Sequence, residues 1–167
     1  MKVQLSILSK HEQELFYNLY NLYLYELSSY TREDIRENGK YDMGNNYLYL
    51  EKEALFPYLI SADSRIAGFV LMCTPPYTPK GIQFSIQELF LLRKYRGQNL
   101  AAEAVRRIFR LHPGSYHIEQ LANNQPAVSF WKKLYTKLNI AYKEELNSIE
   151  MDGLPGVHHI LSQTFSV

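Results

Sequence analysis

The segment from Ile82 to Leu121 constrains the fold more than any other. Ile82, Phe84 and Ile86 alternate with Gln83, Ser85 and Gln87, which predicts a strand running on to Leu92. A basic turn with a single glycine follows, Arg93-Lys94-Tyr95-Arg96-Gly97. Leu100, Ala104, Ile108 and Leu111 then recur at helical spacing as a buried stripe. His112-Pro113-Gly114 closes that helix, and Ser115 to Leu121 reads as a second strand. Strand, helix and strand in this order require a sheet with helices packed on it.

The same alternation of elements continues downstream. Asn123-Asn124-Gln125-Pro126 opens a helix, with the asparagines as caps and proline in the first turn. Its stripe is Ala127, Phe130 with Trp131, Leu134 and Leu138. Two further strands, about Ile140 to Leu146 and Val157 to Phe165, flank a turn at Asp152-Gly153-Leu154-Pro155-Gly156. Upstream, Val3, Leu5 and Ile7 form a half-buried strand, and Ser9 is placed to cap the helix whose stripe runs from Leu15 to Leu27. The polar stretch after Ser28 suggests a short helix around Arg32 to Asn38, and Tyr47 to Leu55 fits either helix or strand. Pro57 to Ser61 and Arg65 to Cys73 form a hairpin about Ala62-Asp63-Ser64, followed by the loop TPPYTPKG. The expected fold class is α/β: a mixed central sheet of about seven strands flanked by about four helices, as a single domain over residues 1–167.

Composition narrows the partners. A hydrophobic share of 46% with 21% charged residues belongs to a globular chain, and a net charge of +1 gives no reason to expect nucleic acid. One cysteine, Cys73, rules out an internal disulfide, fits a reducing compartment, and sits in an apolar run as a core residue. The N-terminus lacks the apolar core of a signal peptide, and no apolar run approaches the roughly 20 residues of a membrane span. A cytoplasmic location without membrane contact is the expectation. No histidine pair has metal-ligand spacing, so no metal is expected. His158 and His159 alternate faces in the last strand, one exposed and one packed.

The basic turn points to an anion. The first N–H groups of a helix lack intrahelical partners, and the helix dipole places positive potential there. Arg93, Lys94, Arg96, Arg106, Arg107 and Arg110 outnumber Glu88 and Glu103 around it, so the region is positive on a nearly neutral chain. A solvated basic helix face is the alternative. No Walker loop and no G-x-G-x-x-G fingerprint is present.

Arg96-Gly97-Gln98-Asn99-Leu100-Ala101 resembles the R/Q-x-x-G-x-G/A motif of the GNAT superfamily of acyl-CoA-dependent N-acetyltransferases. QELFLLRKYRG resembles that family's fourth strand entering the motif, and NNQPAVSFWKKL its second signature, N-x-x-A-x-x-x-aromatic. The FW pair and the preceding His-Pro-Gly look most like a bacterial subgroup of predicted acetyltransferases of undefined substrate. The resemblance covers about Ile82 to Leu138 and implies acetyl transfer from acetyl-CoA to a small-molecule primary amine by direct attack. A non-catalytic acyl-CoA-binding or interaction module on the same fold is the alternative, and the assembly would be a monomer or homodimer.

Carried over residue by residue, the resemblance puts the coenzyme A pyrophosphate on the backbone amides of Arg96, Gly97, Gln98, Asn99, Leu100 and Ala101. It puts the pantetheine against the main chain of Leu91 and Leu92 and beside Asn124, which also suits a helix cap. Asn99 stands where the family has glycine, and asparagine is the non-glycine residue that best tolerates left-handed backbone. Trp131 stands where a tyrosine acid is common. It can pack on the thioester arm or in the core, and Tyr135, one turn on, is a weak candidate acid. Glu88 is the candidate general base. Strict alternation puts it on the face of Phe84, Ile86 and Phe90, a β-bulge would change that, and pairing with an arginine is the alternative reading. His117 and Glu119 are weaker candidates. Tyr23, Tyr25 and Tyr30 would line an acceptor pocket, with Glu26, Glu33, Asp34, Glu37 and Asp42 favouring a cationic amine.

Overall fold

The computed structural model describes residues 1–151 and 154–167, so Asp152 and Gly153 of the anticipated turn lie outside the described residues. Among these residues seven strands form one sheet: β1 (Val3–Ile7), β2 (Leu55–Ala62), β3 (Arg65–Cys73), β4 (Phe84–Leu91), β5 (Ser115–Leu121), β6 (Tyr142–Glu150) and β7 (Val157–Ser166). Their order is β1-β2-β3-β4-β5-β7-β6. The neighbours are antiparallel except β4 and β5, which run parallel because the crossover helix α2 (Leu100–Leu111) joins them. The other helices are α1 (Gln13–Thr31) and α3 (Gln125–Leu138).

Among the described residues three α-helices stand where about four were anticipated. Residues 32–38 are not helical: α1 ends with Arg32 in the left-handed region, φ 63°. The chain then turns back on itself, with Gly39 N–H bonded to Arg36 O and the Arg36 guanidinium paired with Asp42. Asn46–Leu50 forms a 3-10 turn, and β2 starts at Leu55, ahead of Pro57. The β2–β3 turn has Asp63 and Ser64 at φ 48° and 63°, the two positive values that a tight hairpin requires. Ser9 binds the Glu12 carboxylate through both its N–H and its hydroxyl.

The sheet has an apolar layer on each side. Phe69, Leu71 and Cys73 of β3 meet Phe16, Tyr20 and Leu24 of α1. Val70 and Met72 pack on the other side with Ala104 and Ile108 of α2 and Trp131 and Leu134 of α3. Burial on both faces explains why β3 reads as a continuous apolar run rather than an alternating one. Cys73 is buried, as expected of a core residue, and His158 is packed while His159 is exposed. Leu111 departs from the anticipated α2 stripe: it is 62% exposed at the helix end.

Candidate active site

The feature that makes a site is a seam that opens. β4 and β5 pair only through Phe84 with Tyr116, Ser85 with His117 and Ile86 with Ile118. Beyond those pairs the strands diverge into a cleft of about 1250 Å³, walled by Ile86 to Leu91 on one side and Glu119 to Leu121 on the other. One end of the cleft is the N-terminus of α2, and α1 contributes Tyr23, Tyr25 and Tyr30 to another wall.

Backbone geometry decides which groups face the opening. Leu92 N–H bonds to Ala67 O, so Leu92 and Phe90 turn their peptide groups toward β3. Hydrogen bonding in an antiparallel ladder alternates, so Leu89 and Leu91 face the cleft. Leu92 therefore has its amide engaged and lies outside the cleft lining, whereas Leu89, unremarked in the sequence, occupies the position expected of a backbone partner.

The loop into α2 is built for close approach. Gly97 has φ 72° and Asn99 φ 63° with ψ 9°, so the asparagine adopts the left-handed backbone that its residue type tolerates. As N-cap, Asn99 makes no side-chain bond to the helix, and its Oδ1 instead accepts from Lys137 Nζ at 3.3 Å. Leu100, Ala101 and Ala102 line the cleft at the first turn of α2, where helical amides lack intrahelical partners. Gln98 turns outward, its Nε2 on Lys94 O at 2.8 Å. Lys133 and Lys137, spaced i and i+4 on α3, add positive charge to the same wall. Their spacing was visible in the sequence once α3 was placed.

Arg96 does not reach out as a free cation. Its Nε and Nη2 donate to Leu91 O at 2.8 and 2.6 Å, and Nη2 also meets Glu26 Oε2 at 2.7 Å. Arg93 Nε contacts the other Glu26 oxygen at 3.2 Å. Glu26 and Asp42 thus bind arginines, and Glu33, Asp34 and Glu37 stand away from the cleft lining. The acidic segment after α1 supplies little charge for an acceptor; what it offers is aromatic and hydroxyl surface.

Glu88 lies at the heart of the cleft wall. The register with β3 slips between Leu71 and Met72, a bulge that takes up Gln87. Glu88 then sits opposite Leu71 on the α1 face while Ile86 packs with α2, so strict alternation fails at this point. Burial pushes the Glu88 carboxyl up to about 7, and a hydrogen bond from the Tyr23 hydroxyl partly offsets that rise. The Tyr23 phenol is itself held well above its ordinary value by burial and by the Glu88 charge, so it stays a donor. Next to it, Tyr49 donates to Gln87 Oε1 at 2.7 Å. No arginine pairs with Glu88 among the described residues.

On α3, Asn124 is the N-cap: its Oδ1 accepts from Ala127 N–H at 3.2 Å while the residue lines the cleft. Trp131 is 5% exposed and contributes to both the core and the cleft wall. Tyr135 corrects an expectation. It is fully buried, stacks on Trp131 with Phe165 tilted against it, and donates to Gln163 Oε1 at 3.0 Å, outside the cleft lining. Burial drives its phenol far above the ordinary range, and the residue serves core packing away from the cleft. On β5, Glu119 reaches the cleft with its carboxylate held low by hydrogen bonds from His117 and Ser162.

Among the described residues no cluster of three histidine, cysteine or carboxylate side chains could hold a metal ion, and no helix is long and apolar enough to cross a membrane.

Comparison with known proteins bears on the fold and the family. No curated protein sequence matches the chain. Solved structures do. An acetyltransferase from Thermus thermophilus superposes with a TM-score of 0.66 at 9% identity, covering 100% of this chain and 98% of that one. A spermidine N-acetyltransferase chimera from Vibrio cholerae gives 0.64 at 13%, covering 99% and 96%. The ribosomal-protein-S18-alanine N-acetyltransferase of Escherichia coli gives 0.61 at 10%, covering 99% and 94%. At such identities these likenesses speak for the fold. The family model described as acetyltransferase (GNAT) family matches residues 14–135, most of the chain, and the chain therefore belongs to the GNAT acetyltransferase family.

Proposed function

We propose that the protein is an N-acetyltransferase that moves an acetyl group from acetyl-CoA to the primary amine of a small molecule. The observation that carries this reading is the opening between β4 and β5, which runs from the bare amides of α2 to the Glu88 carboxyl. The donor set fits the ligand. A pyrophosphate suits the amides of the loop from Arg96 to Ala101, with Lys133 and Lys137 alongside, and a slender amide-bearing arm suits the β4 edge at Leu89 and the Leu91 N–H, the Leu91 carbonyl being taken by Arg96. Bound there, the thioester supplies an acyl group activated toward an amine.

The chain's own residues do the rest. Glu88, held at about 7, is poised to take the proton that an ammonium must lose before it can attack, directly or through a water. Tyr23 orients that carboxylate by donating to it. Tyr25 and Tyr30 give the acceptor an aromatic wall, and Asn124 keeps its Nδ2 as a donor at the cleft while Oδ1 caps α3. Positioning accounts for most of the catalysis in this scheme.

The burial of Tyr135 leaves α3 without a hydroxyl acid in the cleft, and this favours one second reading, an acyl-CoA-binding module without turnover. Calorimetry with acetyl-CoA, followed by thiol release over a broad panel of amines, separates the two. Binding with turnover is the expected result. Binding without turnover supports the module, and absence of binding at millimolar ligand refutes both.

A further inference from the structure

Among the described residues, the Gln120 side chain presents a polar atom without a partner. The residue lines the cleft, is 6% exposed, and has its Oε1 buried and unbonded. Its Nε2 points the other way and donates to Gln163 Oε1 at 3.0 Å. Amide groups can turn over, so the question is what fixes this one.

The answer lies on the far side of β7. Gln163 Nε2 donates to Glu144 Oε2 at 2.7 Å, and an ionised carboxylate can only accept. Lys132 Nζ holds the other Glu144 oxygen at 2.9 Å. Gln163 must therefore present Oε1 inward, where it takes both the Tyr135 hydroxyl at 3.0 Å and Gln120 Nε2. Turning Gln120 over would set two carbonyl oxygens against each other. The surface ion pair thus dictates, through one buried amide, that Gln120 offers an acceptor and not a donor.

A buried acceptor without a donor is costly, so this one is matched to something that enters the cleft. Gln120 lies two residues past Ile118, the last β5 residue paired with β4, and so within the opening. By alternation it shares the face of Tyr116 and Ile118, toward α2 and α3, whereas Glu88 faces α1. Phosphates, thioester and acetyl group carry no N–H, and the amine acceptor belongs with Glu88 on the α1 face. The amides of a pantetheine arm do carry an N–H.

We propose that Gln120 Oε1 accepts an amide N–H of the pantetheine arm of the acyl-CoA donor, and that Gln163, Glu144 and Lys132 are positioning residues that fix its orientation. The proposal rests on the acetyl-CoA reading above. Its test compares coenzyme A with adenosine 3′,5′-bisphosphate, which keeps phosphates but lacks the arm, by calorimetry on the full chain. Gln120→Met conserves volume and removes the acceptor. It should weaken coenzyme A about tenfold and leave the bisphosphate unchanged. Glu144→Ala, on an exposed strand, frees Gln163 to turn. It should weaken coenzyme A about two- to threefold, with the bisphosphate and the melting temperature unchanged. Wild-type affinity for coenzyme A in Gln120→Met overturns the proposal, and so does equal weakening of both ligands. Should Gln120→Met fail to fold, the same split measured on Glu144→Ala decides. A wild-type protein that binds neither ligand refutes the donor reading itself, and this inference with it.

Discussion

Replacing Glu88 by glutamine probes the chemistry of the cleft and its cost to folding in a single variant. Burial holds this carboxyl at about 7 against an ordinary 4.5, which disfavours its ionised form by roughly 3 kcal/mol. Water reaching the cleft screens part of that, so about 2 kcal/mol is the working figure. Below pH 4.5 the folded and unfolded chains both carry the proton. Between 4.5 and 7 the unfolded chain releases it while the folded chain keeps it, so stability falls as pH rises and levels off above 7. Glutamine removes the titration. Urea denaturation at about pH 4, 6 and 8 should show the variant gaining on the wild type by about 2 kcal/mol across that window. In turnover assays kcat/KM should drop about a hundredfold near neutral pH, the low end for a general base, while acetyl-CoA binding persists. A stability difference that stays constant with pH would refute the buried-carboxyl argument. Wild-type turnover in the variant from pH 6 to 9 would remove Glu88 from the mechanism.

Three further outcomes follow from the same geometry. Tyr23→Phe takes away the hydrogen bond that holds the Glu88 carboxyl down, so the rising limb of the pH–rate profile should move to higher pH; an unmoved or acid-shifted limb contradicts the assignment. Asn99→Gly should keep or tighten acetyl-CoA binding, because φ 63° suits glycine, whereas Asn99→Val should cost roughly 1–2 kcal/mol in thermal or chemical melting; tolerance of valine would count against the left-handed turn. Gly68→Ala would drive a Cβ into the Phe90 carbonyl and to 2.9 Å from Leu91 Cα, so denaturant titration should register a loss of about 1–3 kcal/mol or more, and a neutral result would contradict the β3–β4 register.

Much of this molecule was legible in the sequence because its periodicities are local. The β4 alternation, the α2 stripe and the asparagine-proline start of α3 each declare an element within a dozen residues, and the two motifs declare how these are joined. What stayed hidden depends on contacts distant in sequence. The facing of Glu88 is set by a one-residue slip against β3, which no pattern inside β4 reveals. The engagement of Arg96 by Leu91 O and Glu26 turned an apparent free cation into a structural brace. Tyr135 differs from an exposed tyrosine one turn along only through its neighbours Phe165 and Gln163, which arrive from β7. The short helix anticipated after α1 failed because Arg32 in the left-handed region stops propagation and the Arg36–Asp42 pair closes a turn instead.

The seam between β4 and β5 also has a mechanical meaning. Two half-sheets of four and three strands are joined by three residue pairs at one end. Such a joint resembles a hinge more than a weld: the halves can open and close slightly without breaking any other ladder. The peptide hydrogens along the free edge, at Leu89 and Leu91, have no ladder bond to break and so exchange with solvent faster than those of β3, which are released only when the core comes apart. A guest that bonds to both lips of the seam would act as a substitute strand, stiffening a sheet that folding alone leaves unfinished.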